Sequence, residues 1–245
     1  MWVTYHDISK TFLHNASRSI DKFHVLMEFS RQFNTVRCVC MKKYALIKNA
    51  YYKEKLIRKL KPDEEVIYQE AIMNYYALKK FNWLFYKYNS DVLDPNRKKK
   101  FNRVFNRYMN FYDIFSYMCS CDEILEEACN LKYDLDNFYS KCNRDNAKEN
   151  LEKLIIEFRE SSIDEMRHFS GTLAGWKNEI INSFIIIDNS SINNGRIECI
   201  NRIIKTLKRN ANRYTNFERL RRRIMWCVNK DGIITMPRKE DYTKK

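Results

Sequence analysis

The chain has 245 residues, 44% of them hydrophobic and 14% aromatic, so it can bury a core and is not intrinsically disordered. Its net charge of +14 favours a polyanionic partner, either a nucleic acid or an anionic membrane surface. No apolar run approaches a membrane span, and none of the eight cysteines forms a Cys-x-x-Cys zinc pair, so we expect a cytoplasmic protein with reduced thiols. Four glycines and three prolines are few for this length, which favours long helices.

The first predicted elements are a helix over residues 2–13 and a short strand over 16–20. Asp21 then has the features of an N-cap residue for a long helix. Apolar residues recur at helical spacing from there toward Leu60. The segment around Pro62 ends this helix, because proline lacks the N–H that a helix interior requires.

The middle of the chain is predicted to be entirely helical between polar breaks. In chain order, its segments are a helix over 64–89, a loop or helix start at 95–100, two helices within 106–139, a polar break at 143–146, and helices over 147–158 and 163–184.

A polar loop over 188–195 leads into a basic helix that carries Glu198 and extends to about Asn210. Three cations follow Glu198 on the same helical face, at steps of four, seven and eleven residues: Arg202, Lys205 and Arg209. The opposite face is apolar and consists of Ile200, Ile203, Ile204 and Leu207. One carboxylate followed by cations suits a site where an acid holds a metal and cations hold a phosphate backbone. The same pattern also fits a solvated helix face with an i,i+4 ion pair.

A last helix is predicted over 217–228, before a polar tail at 231–245. Further cations extend the positive surface: Lys208, Arg213, Arg219, Arg221, Arg222 and Arg223. Tyr214, Phe217 and Trp226 lie among these cations, which suits backbone contacts combined with base stacking. In the alternative interpretation, Phe217, Leu220, Ile224 and Cys227 form core and the arginines are simply exposed.

Two segments carry a resemblance to a known family: residues 21–25 read Asp-Lys-Phe-His-Val, and residues 194–205 contain Asn194, Gly195, Glu198, Asn201 and Lys205. In this order they resemble motifs of the ISL3 group of DDE transposases, which move bacterial insertion sequences. The first segment is similar to the family's Asp-Arg-Phe-His-Val block. Residues 194–205 resemble its Asn-Gly-x-x-Glu-Gly-x-Asn-x-x-x-Lys block, with Cys199 in place of the second glycine. Segments on both sides of this block are also similar, and the resemblance covers most of residues 1–230.

This resemblance implies a mainly α chain that forms the C-terminal part of an RNase H-like α/β catalytic fold with a large all-helical insertion. The implied parts are a remnant of the RNase H-like core with its following helix at 1–60, the helical insertion at 61–185, the Glu-bearing basic helix with a C-terminal helix at 186–230, and the polar tail at 231–245.

The resemblance also implies a metal-binding Asp-Asp-Glu triad with Glu198 as its last member. Mg²⁺ or Mn²⁺ in such a site would activate water or a 3′-hydroxyl for attack on a DNA phosphate. Supporting roles are implied for Asp21, His24, Asn194 and Asn201. The residues expected to bind DNA are Arg202, Lys205, Lys208, Arg209, Arg213, Arg219, Arg221 and Arg222.

The family's second triad aspartate precedes a Met-Trp-x-x-Tyr segment, which Met1, Trp2 and Tyr5 match. That aspartate would therefore lie just before residue 1. We expect a transposase truncated at its N-terminus that cannot bind the metal stably or cut DNA alone. The expected partners are insertion-sequence ends, target DNA, and a second copy or a full-length transposase, with no membrane. The alternative is a non-enzymatic regulator of transposition that binds DNA or a transposase.

Overall fold

A computed structural model describes residues 11, 17–87, 91–187, 190–191, 195–211 and 216–228. The chain divides into two compact units, Met1–Ile192 and Asn193–Lys245. The described helices of the first unit are α1 (Lys22–Ile57), α2 (Pro62–Lys80), α3 (Phe111–Ser120), α4 (Glu123–Lys141), α5 (Ala147–Glu160), α6 (Asp164–Gly175) and α7 (Lys177–Asn182). Those of the second unit are α8 (Gly195–Asn210) and α9 (Phe217–Val228).

Short elements complete the first unit. Two 3₁₀ turns span Asn82–Tyr86 and Asp91–Leu93. Two antiparallel hairpins pair β1 (Lys100–Asn102) with β2 (Arg107–Met109), and β3 (Ile186–Ile187) with β4 (Ser190–Ser191). The mainly α prediction is confirmed. The described ranges hold no larger sheet than these hairpins, so the RNase H-like fold stays a prediction. Within those same ranges, no helix is both long and apolar enough to cross a membrane.

The 36-residue helix α1 organises the first unit. Asp21 caps it as predicted, since its Oδ1 accepts a hydrogen bond from the backbone N–H of Phe23 at 2.8 Å. The helix ends at Ile57, and Pro62 occupies the first turn of α2, where its missing N–H is not needed. The carboxylate of Glu64 accepts the backbone N–H of Lys61 at 2.8 Å and so closes the start of α2.

Helix α1 packs on α2, α4 and α6. A stripe of its residues is buried at spacings of three and four: Val25, Phe29, Phe33, Val36 and Cys40. Phe29 lies edge-on to Phe158 of α5 and Phe169 of α6, with ring centroids 6.0 and 5.4 Å away. Arg37 Nη1 donates to the carbonyl of Leu78 at 2.8 Å, so the far end of α2 is fixed against the middle of α1.

Four predicted boundaries in the first unit are wrong. The helix predicted over 64–89 ends at Lys80, and a 3₁₀ turn follows at Asn82–Tyr86. The segment at 95–110 contains a turn and the hairpin β1–β2, and the next helix begins only at Phe111. The helix predicted over 163–184 is divided at Trp176, whose N–H bonds back to Thr172 before α7 begins. The strand predicted over 16–20 is irregular at its described residues, although the N–H of Ile20 bonds to the carbonyl of Glu179 at 3.1 Å.

The polar loop predicted before the Glu198 helix also differs in part, because Ser190 and Ser191 pair with Ile187 and Ile186 in β3–β4. The predicted spans of α8 and α9 are confirmed. The helix predicted over 2–13, apart from Thr11, and the tail at 231–245 lie outside the described residues.

Candidate nucleic-acid interface

Helix α8 has the two faces that its sequence predicts. Its polar face is exposed to solvent and comprises Glu198, Asn201, Arg202, Lys205, Lys208 and Arg209. The opposite face is partly buried and comprises Ile200, Ile203, Ile204 and Leu207. Glu198 lies in the first turn, and Lys208 and Arg209 lie in the last turn, so their charges also complement the helix dipole. Side-chain exposure is therefore compatible both with a binding role and with an ordinary solvated face.

Helix α9 packs against α8, with Leu220 buried at 8% exposure. The side chain of Asn216 begins the helix by accepting the N–H of Arg219 at 3.2 Å. Arg221 pairs with Glu218 at 3.3 Å, but both side chains are more than half exposed, so solvent screens this pair strongly.

The aromatic residues of α9 are not core. Phe217 is 71% exposed and Trp226 is 72% exposed, whereas Ile224 and Cys227 are half-buried. The interpretation of Phe217 as a core residue is therefore wrong. By helical spacing Phe217 shares the face of Leu220 and Ile224, but at the first residue of α9 it is exposed. Two exposed rings thus accompany the arginines of this helix.

Positive charge is concentrated on these two helices. Helix α8 has five cationic residues and one acidic residue, and α9 has four and one, so together they carry +7, half of the chain's +14. We call the cationic surface the set Arg202, Lys205, Lys208, Arg209, Arg219, Arg221, Arg222 and Arg223. All of these side chains are exposed except Arg222, which is half-buried. The side chains of Asn194 and Arg213, also predicted at the site, lie outside the described residues.

Asp21 and His24 belong to the first unit, and Glu198 belongs to the second. The segment before Asp21 is fixed to α7, because Asn182 Nδ2 donates to the carbonyl of Arg18 at 2.7 Å. His24 is half-buried, and its ring lies edge-on to Phe23 at 5.8 Å. Asp21 has the structural role of a helix cap, because its Oδ1 accepts the N–H of Phe23.

The charge of Asp21 also affects the pKa of Tyr139, near the start of α1. Burial raises the pKa of the Tyr139 phenol, and the nearby negative charge of Asp21 raises that pKa further. The Lys22 ammonium lies 5.1 Å from the centre of the Tyr139 ring. Asp21 thus lies close to Tyr139 of α4, at the start of α1.

A divalent metal is the cofactor that the Glu198 block implies. Mg²⁺ takes about six oxygen ligands, and a two-metal centre needs several carboxylates. Glu198 supplies at most two oxygens and is surrounded on α8 by cations. Among the residues that the structure describes, no three His, Cys, Asp or Glu side chains form a group that could hold a metal ion. The described side chains therefore do not fit a complete magnesium site.

Comparison with known protein families identifies the family of this chain. The family model for ISL3-type DDE transposases, described as Transposase, matches residues 1–224, which is most of the chain. No curated protein and no solved structure matches the chain. The chain therefore belongs to the ISL3-type DDE transposase family.

Proposed function

We propose that this chain binds the phosphate backbone of DNA through the cationic surface of α8 and α9. The observation that carries the proposal is that these two helices hold half of the chain's net positive charge. Each phosphate that a cation neutralises releases condensed counterions, which supplies sequence-independent affinity. Transposases act on DNA, so the family assignment supports the same ligand.

The dimensions of α8 support contact with several successive phosphates. Eleven residues separate Glu198 from Arg209, which corresponds to about 16 Å at a rise of about 1.5 Å per residue. This length matches about five base steps along one strand at about 3.4 Å each. The exposed Phe217 and Trp226 of α9 add rings that can stack on a base at a distorted or open site.

Glu198 is proposed to be the last carboxylate of the family's Asp-Asp-Glu set, which would hold Mg²⁺ or Mn²⁺ in the complete enzyme. Asn194 and Asn201 flank it in the family block and are proposed to support it. The contribution of Asp21 and His24 is proposed to be indirect. Asp21 Oδ1 is committed to the N–H of Phe23 and fixes the start of α1, which suits a positioning role better than a ligand role.

These 245 residues are proposed to bind DNA without cutting or joining it. The proposal is supported by the surroundings of Glu198: within the part of the chain that the structure describes, no group of His, Cys, Asp or Glu side chains could hold a metal ion. It is also supported by the cations that accompany Glu198 on α8. A second candidate function follows, that of a regulator which occupies element ends or associates with a second copy or a complete transposase. The cationic surface favours it, because DNA binding needs no metal.

Two measurements on the full chain test the proposal. Incubation with element-end DNA and Mg²⁺ or Mn²⁺ should give no cleavage or strand transfer, for the native chain or for Glu198→Gln. Activity that Glu198→Gln abolishes would contradict the proposed inactivity while supporting the role of Glu198.

The second measurement is duplex affinity by fluorescence anisotropy. The variant Arg219→Glu/Arg221→Glu/Arg223→Glu should bind at least about tenfold more weakly, because three cations become anions. The matched control is Lys42→Glu/Lys53→Glu/Lys59→Glu, which makes the same change in net charge at exposed positions of the first unit. Equal losses in the two variants would contradict a localised DNA-binding surface.

A further inference from the structure

The hairpin β1–β2 presents two aromatic rings to solvent. Phe101 and Tyr108 are cross-strand partners, so their side chains lie on the same face of the hairpin. The neighbouring partner Met109 is 6% exposed, so the other face is directed toward the core. Phe101 is 52% exposed and Tyr108 is 69% exposed, and their rings meet edge to face at 5.6 Å.

The hairpin is anchored firmly to the first unit. Phe105 of its connection is buried at 5% exposure, and its ring packs against Tyr117 of α3 at 4.9 Å. Asn110 Nδ2 donates to the carbonyls of Pro95 and Arg97, at 2.9 and 3.1 Å, while Asn110 Oδ1 caps α3. The two outward rings therefore form a fixed platform that needs little ordering when a ligand binds.

A dense group of cations surrounds this platform. Residues 95–112 contain no acidic residue and six exposed cations: Arg97, Lys98, Lys99, Lys100, Arg103 and Arg107. Lys99 pairs with Asp113 at 2.9 Å, and the Arg107 guanidinium lies over the Phe105 ring at 5.8 Å. Among the described residues, none forms an ion pair with Lys98, Lys100 or Arg103. These three charges are therefore available to an anionic ligand.

We propose that hairpin β1–β2 is a binding site for single-stranded DNA, with unpaired bases stacked on Phe101 and Tyr108 and phosphates held by the surrounding cations. Exposed rings interleaved with cations are the combination that binds single strands without sequence preference. The bases of a duplex are already stacked, so a duplex would use the cations but gain little from the rings. A single strand would use both the cations and the rings.

The identification of the ligand as DNA rests on the proposed function, but the site itself lies in the first unit, away in sequence from the cationic surface of the second. The hairpin site and the proposed function can therefore fail separately. Variants of α9 test duplex binding, whereas variants of the hairpin test the affinity for unpaired bases.

The experiment uses the full chain and a labelled oligothymidine of about twenty nucleotides, longer than one stacking site requires. Phe101→Ala/Tyr108→Ala should weaken binding by about tenfold or more, because alanine removes both stacking partners. Its affinity for a duplex of the same length should change less than about twofold. Lys98→Glu/Lys100→Glu should also weaken binding of the oligothymidine, since it acts on the phosphates.

The matched control is Tyr52→Ala/Tyr133→Ala, which removes two rings that are 54% and 64% exposed on α1 and α4. It should leave the affinity for oligothymidine unchanged, and circular dichroism should show that all variants are folded. Unchanged affinity in Phe101→Ala/Tyr108→Ala would overturn the site, as would equal losses on single strand and duplex. Tighter binding of oligouridine than of oligothymidine would overturn the assignment to DNA. If the α9 variant keeps full duplex affinity while the hairpin variant loses the single strand, the proposed function fails and the hairpin site stands.

Discussion

Replacing Phe29 with alanine should destabilise the first unit strongly without weakening DNA binding. The Phe29 ring is 1% exposed and lies 5.9 Å from Phe33, 6.0 Å from Phe158 and 5.4 Å from Phe169. It joins α1 to α5 and α6, so no single neighbour can fill the space that it would leave. A buried Phe→Ala change costs about 3–5 kcal/mol, and the three ring contacts place this one toward the upper end of that range.

Urea unfolding followed by circular dichroism measures this loss. The control is Phe23→Ala on the same helix; Phe23 is 63% exposed, so its loss should cost about 0.5 kcal/mol or less. Duplex affinity, measured well below the melting temperature, should be the same for the two variants, since α8 and α9 form a separate compact unit. If Phe29→Ala lowers the free energy of unfolding by less than about 1 kcal/mol, the packing of Phe29 between α1, α5 and α6 is wrong. A parallel loss of duplex affinity would refute the independence of the binding surface.

Three further predictions concern local contacts. The hydrogen bond from Arg58 lowers the pKa of Glu64 from 4.5 to about 2, so Arg58→Gln should raise the carboxyl titration midpoint measured by NMR; an unchanged midpoint would contradict this pairing. Because the folded pKa is the lower one, the pair stabilises the protein above about pH 4.5, and this stabilisation is lost as the pH falls through about 2. Asn110→Ala should lower the free energy of unfolding by about 2 kcal/mol, since it removes a helix cap and two bonds to loop carbonyls; a urea curve that overlays the native one would contradict it. Arg221→Gln/Arg223→Gln should reduce the slope of log affinity against log salt by about 0.9 for each lost phosphate contact, and an unchanged slope would show that these arginines do not touch the backbone.

The ends of α1 could be predicted because their causes are local. Asp21 can cap only the helix that follows it, and Pro62 is tolerated only in a first turn. The same is true of α9, where Asn216 supplies the cap immediately before Phe217. A capping residue within three residues of a helix end can be recognised in the sequence.

The hairpin β1–β2 could not be predicted, because strands of three residues are too short to show an alternating pattern. Its turn depends on Asn106, which adopts a positive φ of 50°, and its position depends on the burial of Phe105 and Met109 against distant helices. The sequence does show the charge of this segment, because the stretch between Asp94 and Asp113 contains six cations and no acidic residue.

Of the candidate nucleic-acid interface, the sequence predicts the exposed face of α8 but not the exposure of Phe217 on α9. The face that joins Glu198 to Arg209 follows from helical periodicity and is confirmed by exposure. The exposure of Phe217 was not predictable, because it depends on how α9 packs against α8.

The central claim is that the second unit holds duplex DNA through its cationic surface. Cross-linking from photoreactive groups on the phosphates of a bound duplex, followed by mass spectrometry of the linked peptides, tests it most directly. The cross-links should concentrate in residues 195–228 and disappear in Arg219→Glu/Arg221→Glu/Arg223→Glu. Cross-links distributed over α1 to α7, with none in α8 or α9, would contradict it.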